Sequence, residues 1–230
     1  MKMIGLLGGM SWESTAIYYQ IINTVIKEEL GDLHSAKVLL YSVDFQEIQE
    51  YQKCGEWEKS ARVLANAALN LQKAGADFIV ICSNTMHKVL PQISQNICIP
   101  ILHIAEVTAK ELQKKNILKV GLLGTKYTLQ QGFYKDKLIA NGIEVIIPDE
   151  DDIEIINHII YDELCVGVVS ENSKSQYLHI IKKLSGKGAE GIILGCTEIG
   201  LLISQKDTEL PIFDTTYIHA NQAAMYSIKD

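Results

Sequence analysis

Uninterrupted apolar runs, each about the length of one strand, alternate along the chain with longer amphipathic stretches. IGLLG at 4–8 precedes a helix-length segment over 13–29, and KVLLYSV at 37–43 precedes one over 57–73. FIVIC at 78–82 precedes 85–95, and IPILHI at 99–104 precedes 105–115. The order resumes with KVGLLG from 119, GIEVIIP from 142, GIILGC from 191 and PIFD from 211. Strands that are apolar on both faces fit parallel sheets covered by helices on each side, where neither face meets water. Pro100, Gly142, Pro148 and Pro211 mark the breaks. Pro91 falls within a helix-length segment and predicts a shortened or kinked helix there.

The pattern also repeats. IGLLGG at 4–9 matches VGLLGT at 120–125, GADFIVICSNT at 75–85 matches GAEGIILGCTE at 188–198, and IPILH at 99–103 matches LPIFD at 210–214. Three matches in the same order and at nearly constant spacing predict two similar α/β lobes. The first is assigned residues 1–102 and 211–230, the second 103–210. Ligands of parallel sheets bind beyond the carboxyl ends of the strands, so matching strand ends are expected to share a cleft between the lobes. The second match aligns Ser83 with Cys196, and Cys82 with Gly195.

Composition narrows the function. A chain of 230 residues with 47% hydrophobic content can bury one large core or two small ones. Its formal net charge of -7, with scattered lysines, leaves no basic face for a nucleic-acid backbone. No apolar run approaches the roughly 20 residues of a spanning helix, and MIGLLGGM at the N-terminus is broken by glycines unlike a signal peptide. Five cysteines without a CxxC pair point to reduced thiols in a cytoplasmic protein. Six histidines without HxH or HExxH spacing give no support for a metal site. The acidic run PDEDDIE at 148–154 reads as a solvated loop.

Candidate chemistry gathers at the aligned strand ends. Cys196 closes GIILG, where free backbone N–H groups at a strand-to-helix turn favour the thiolate; the competing reading is a buried structural cysteine. Asn84, Thr85 and Thr197 follow the two strand ends and can offer donors to a carboxylate, or can act as helix N-caps. Met10 and Ser11 occupy the equivalent turn after the first strand, and Thr125 and Thr128 its repeat partner, so all four are candidate substrate contacts. His87 and Glu198 stand within about one helical turn of the aligned pair and are candidate supporting residues. Asp214 and His219, near the last strand, carry similar weight.

GLLGGMSWEST at 5–15, SNTMH at 83–87, LGCTE at 194–198 and FDTTYIHA at 213–220 together resemble the aspartate/glutamate racemase family over nearly the whole chain, closest to its acidic or broad-specificity branch. The resemblance implies a cofactor-independent amino-acid racemase, commonly a homodimer, in which one thiolate removes the substrate α-proton and an opposing thiol returns a proton to the other face. The family's first cysteine falls on Ser83, so the sequence departs from the pattern at a catalytic position. Three readings follow. Ser83 replaces the thiol and makes the two directions unequal; Cys82 swings in, against strand alternation; or racemisation is lost, leaving a one-base enzyme or a binding protein. Outside racemisation, the alternatives are a single-thiol decarboxylase or isomerase of a related diacid, and a non-catalytic amino-acid binding protein. For a substrate side-chain carboxylate, the single arginine, Arg62, reads as a surface residue, and Lys53 and Lys126 are better placed. Some relatives carry a lysine after a stretch similar to YDEL; here YDEL at 161–164 is followed by Cys165.

Overall fold

The computed structural model describes residues 1–229, which form two compact units. The first comprises Met1–Ile104 and the segment from His219 onward; the second is Ala105–Ile218. In the first, β1 (Ile4–Gly8), α1 (Trp12–Leu30), β2 (Val38–Ser42), α2 (Phe45–Lys53), α3 (Trp57–Lys73) and β3 (Phe78–Ile81) follow one another. A 3-10 turn (Thr85–Val89), α4 (Leu90–Ser94) and β4 (Ile101–Leu102) come next. In the second, α5 (Ile104–Lys114) begins at the last residue of the first unit, and β5 (Lys119–Leu123), α6 (Lys126–Gln130), α7 (Gly132–Ile139) and β6 (Glu144–Ile146) follow. After these come α8 (Glu150–Asp162), α9 (Glu171–Gly186), β7 (Gly191–Leu194) and β8 (Ile212–Asp214). The last element among the described residues is α10 (Thr215–Ile228), which returns to the first unit at His219.

Both sheets are parallel and four-stranded, with orders β2-β1-β3-β4 and β6-β5-β7-β8. Each repeat found in the sequence therefore occupies the same place in its own sheet. One hydrogen bond fixes the alignment residue by residue. Cys82 N–H donates to the Leu7 carbonyl at 2.9 Å, and Gly195 N–H donates to the Leu123 carbonyl at 2.6 Å. Cys82 and Gly195 are thus equivalent, and so are Ser83 and Cys196, as the sequence match expects.

Alternation along the strands builds the cores. Ile4, Leu6, Phe78, Val80 and Cys82 pack under α1 and α10, against Tyr18, Ile22, Ile26 and Ala220. Leu7, Ile79 and Ile81 face the opposite side, under Leu64, Ala68 and Leu71 of α3. In the second unit Leu123, Ile192 and Leu194 pack against Ile156 and Ile160 of α8 and Tyr177 and Leu184 of α9. Full burial of one such side chain stabilises by about 1.5–3 kcal/mol, whereas an exposed ion pair contributes about 0–1, so apolar packing holds each unit.

Two sequence expectations change and a third is sharpened. Residues 211–218 belong to the second unit, because β8 pairs with β7 at Ile192↔Ile212 and Leu194↔Asp214. The acidic run is not a loop: Asp149 precedes α8, and Glu150, Asp151 and Asp152 occupy its first turn, where the helix dipole favours negative charge. Asp152 is buried and accepts two bonds at 2.9 Å from Lys183 Nζ. Pro91 does more than shorten a helix: residues 85–94 divide into the 3-10 turn and five-residue α4, with Pro91 in the latter's first turn.

Candidate active site

In the first unit β1 and β3 are neighbours, so the Met10–Ser11 turn and the Ser83–Asn84–Thr85 turn leave the sheet side by side. Ser11 caps α1, its Oγ accepting from Ser14 N–H at 3.3 Å. Thr15, which the sequence did not single out, locks this turn: its Oγ1 accepts Gly9 N–H at 2.9 Å and donates to the Ser11 carbonyl at 2.7 Å. Only the spacing from Ser11 to Thr15, one helical turn, signals that role.

Ser83, Asn84 and Thr85 are buried, and Ser83 Oγ accepts Met86 N–H at 3.4 Å. His87 lies behind them. Its Nε2 accepts Ile104 N–H at 3.2 Å, which leaves Nδ1–H to donate to the Ser83 carbonyl at 2.8 Å. Burial, reinforced by the neighbouring His103, pulls the imidazole down to about 3, so it is neutral at ordinary pH. His219 is likewise buried and held at about 3, by burial and then by His87. Cys82 is fully buried in the layer under α1 and α10, and burial pushes its thiol far up. That environment is inert, which favours the structural reading of Cys82 over its entry into the site.

In the second unit β5 and β7 are neighbours, and the turns at Thr125 and Cys196 lie side by side. Thr125 caps α6, its Oγ1 lying 3.2 Å from Thr128 Oγ1. Cys196 is 8% exposed, and its thiol donates to Glu198 Oε2 at 3.0 Å; Thr197 Oγ1 donates to the same oxygen at 2.8 Å. Glu198 is 3% exposed. Burial, the Glu198 charge and Cys165 together raise the Cys196 thiol well above its ordinary value. This corrects the expected thiolate. No α-helix starts at the turn, only a 3-10 turn at Ile199–Leu201, and a carboxylate sits where backbone dipoles were to dominate.

Tyr161, Cys165 and Tyr177 pack with Cys196 in one cluster, and burial followed by the Cys196 thiol raises both phenols. YDEL pointed towards this neighbourhood, but nothing in the sequence marked Cys165 as a neighbour of Cys196. Asp214, at the end of β8, accepts Thr216 N–H at 2.8 Å and Tyr217 N–H at 3.3 Å, while burial raises its carboxyl. Lys126 is paired with Glu154, and Lys53 and Arg62 are exposed on α2 and α3. Among the described residues no group of three or more His, Cys, Asp or Glu could hold a metal ion, and no helix is long and apolar enough to cross a membrane.

Solved structures and curated proteins similar to this chain include several named as racemases. A protein from Yersinia pestis, assigned provisionally as an Asp/Glu racemase, has a solved structure that superposes with a TM-score of 0.93, at 53% identity over 100% of both chains. An aspartate racemase homologue from Pyrococcus horikoshii does so with a TM-score of 0.84, at 35% identity over 100% of both. The broad specificity amino-acid racemase RacX of Bacillus subtilis is 27% identical over 93% of each chain. The fold is thus that of the two-lobed Asp/Glu racemases, and the protein is an isomerase, an amino-acid racemase. The Asp/Glu/Hydantoin racemase model matches residues 7–223, and the chain belongs to that family.

Proposed function

We propose that the protein is a cofactor-independent racemase of aspartate, glutamate or a close relative, with Cys196 as essential acid/base and Ser83 serving the opposite face of the α-carbon. The contact that carries this reading is Cys196 Sγ–H to Glu198 Oε2 at 3.0 Å, which gives the raised thiol a proton acceptor already in place. The thiol proton passes to Glu198, and the thiolate takes the α-proton. The Ser83 hydroxyl, as conjugate acid, then delivers a proton to the other face; water reprotonates the serine, and the hydroxide left behind takes the proton from Glu198, which restores the resting state. In reverse, serine must act as the base, and its weakness there makes the two directions unequal. Met10, Ser11, Asn84, Thr85, Thr125, Thr128 and Thr197 supply hydroxyl, amide and backbone donors for the substrate carboxylate and for the negative charge that develops next to it. The acidic substrate class draws on the names of the relatives, and a homodimer in the cytoplasm fits the same reading.

The test is loss of the α-proton NMR signal in deuterated buffer for L- and D-aspartate and L- and D-glutamate. Washout at unequal rates for two enantiomers, abolished by Cys196→Ala, is expected. No washout from any of the four overturns the proposed substrate class. If ligands then stabilise the protein thermally without turnover, the binding reading replaces it; carbon dioxide release from a malonate-like diacid supports the single-thiol decarboxylase instead.

A further inference from the structure

Three histidines lie together in the first unit, and two of them bond to one short segment, at Leu102 and at Ile104. The His87 and His103 ring centroids are 4.7 Å apart, and those of His87 and His219 are 5.9 Å apart. His219 Nε2–H donates to the Leu102 carbonyl at 2.9 Å, its Nδ1 accepting the Tyr18 hydroxyl at 2.9 Å. Two residues on, Ile104 opens α5, where a backbone N–H has no partner within the helix. His87 Nε2 takes that N–H at 3.2 Å, and its other nitrogen reaches the Ser83 carbonyl at 2.8 Å. The two rings thus carry their protons on opposite nitrogens. Each has both ring nitrogens hydrogen-bonded and is at most 2% exposed. The segment they grip is where the chain leaves the first unit, and His219 is the residue at which it returns.

We infer that His87 is a positioning residue for Ser83: with its proton on Nδ1, it fixes the carbonyl of the Ser83 turn to the start of α5, and His219 anchors the same segment through Leu102. The inference rests on the proposed role of Ser83. A rigid ring suits the task because it joins the carbonyl one helical turn behind it to an N–H 17 residues ahead. A displacement of about 1 Å at a reacting group can cost up to about 100-fold in rate, so loss of the tether should be visible in turnover.

The experiment compares wild type, His87→Ala and His87→Asn, measuring α-proton washout separately from each enantiomer of aspartate and glutamate. The alanine variant should lose about tenfold to 100-fold in kcat for the enantiomer whose α-proton faces Ser83, with KM nearly unchanged and the other enantiomer little affected. Asparagine, which keeps an N–H near the Ser83 carbonyl, should restore most of the loss. If alanine does not fold, His87→Leu takes its place, filling the space without hydrogen bonds. Equal losses for both enantiomers, or asparagine no better than alanine, overturn the inference and leave His87 a core residue. No washout by wild type overturns the proposed substrate class and, with it, the role of Ser83 on which the inference rests. Independently of turnover, ¹⁵N side-chain NMR of labelled histidine at pH 7 should find His87 neutral and protonated on Nδ1; an Nε2–H tautomer or an imidazolium overturns the inference.

Discussion

The two strand-end turns are equivalent in the repeat yet are built with opposite chemistry. At the first, a hydroxyl is backed by a neutral imidazole that holds its carbonyl; at the second, a thiol is backed by a carboxylate that accepts its proton. The backbone frame has been kept, as the matching bonds to Leu7 and Leu123 demonstrate, while the groups behind it differ. Two similar folds therefore need not place similar groups at equivalent strand ends. The partner within hydrogen-bond reach decides what each strand end can do.

Acid should separate the two turns most strongly. His87 and His219 titrate at about 3 in the folded state against 6.5 unfolded, so the unfolded chain binds more protons between those limits. Stability is fully present above about pH 6.5 and is lost as pH falls towards 3, by several kcal/mol at the limit for two imidazoles. Thermal denaturation from pH 7 to 4 should show a falling Tm. Hydrogen exchange should rise first around residues 83–104, and a Tm flat over this range would break the contrast.

Glu198→Gln tests the second turn. Turnover should fall about 100-fold with the loss of a proton acceptor. Alkylation of Cys196 by iodoacetamide should accelerate, because removal of the carboxylate lets the thiol ionise more readily. Slower alkylation together with slower turnover would mean that the glutamate activates the thiolate in the resting enzyme. Ser83→Cys should narrow the gap between enantiomers, speeding washout in the slower direction about tenfold by placing a better base there; unchanged rates in both directions would remove Ser83 from the chemistry. The smallest effect belongs to Cys82→Ala, which should cost about 1 kcal/mol in urea denaturation through lost packing and leave washout intact.

Much of this frame was legible in the sequence because parallel strands buried on both faces must be continuously apolar, and because the repeat set Ser83 against Cys196. The repeat also points β8 to the second sheet, since LPIFD matches IPILH, so of the expected 211–230 segment only the part from His219 onward lies in the first unit. What stayed hidden depends on distant partners. PDEDDIE resembles a loop until Lys183, 31 residues from Asp152, neutralises the buried carboxylate. His87 carries no mark of its bond to Ile104, nor His219 of its bond to Leu102, 117 residues away. The rise of the Cys196 thiol was not legible because a motif displays the neighbouring glutamate but not the direction in which it points.

Gly195 limits how parts of the two turns can be exchanged. A Cβ there would lie 2.7 Å from the Leu123 carbonyl and 2.9 Å from Leu122 Cδ1, whereas the equivalent Cys82 carries its side chain into the core without obstruction. Grafting is consequently a one-way trade. The Gly-Cys dipeptide can be transplanted into the first unit at the expense of a small void, while Cys-Ser transplanted into the second would collide with the neighbouring strand. An engineer seeking a symmetrical two-thiol enzyme has room to work only at the serine.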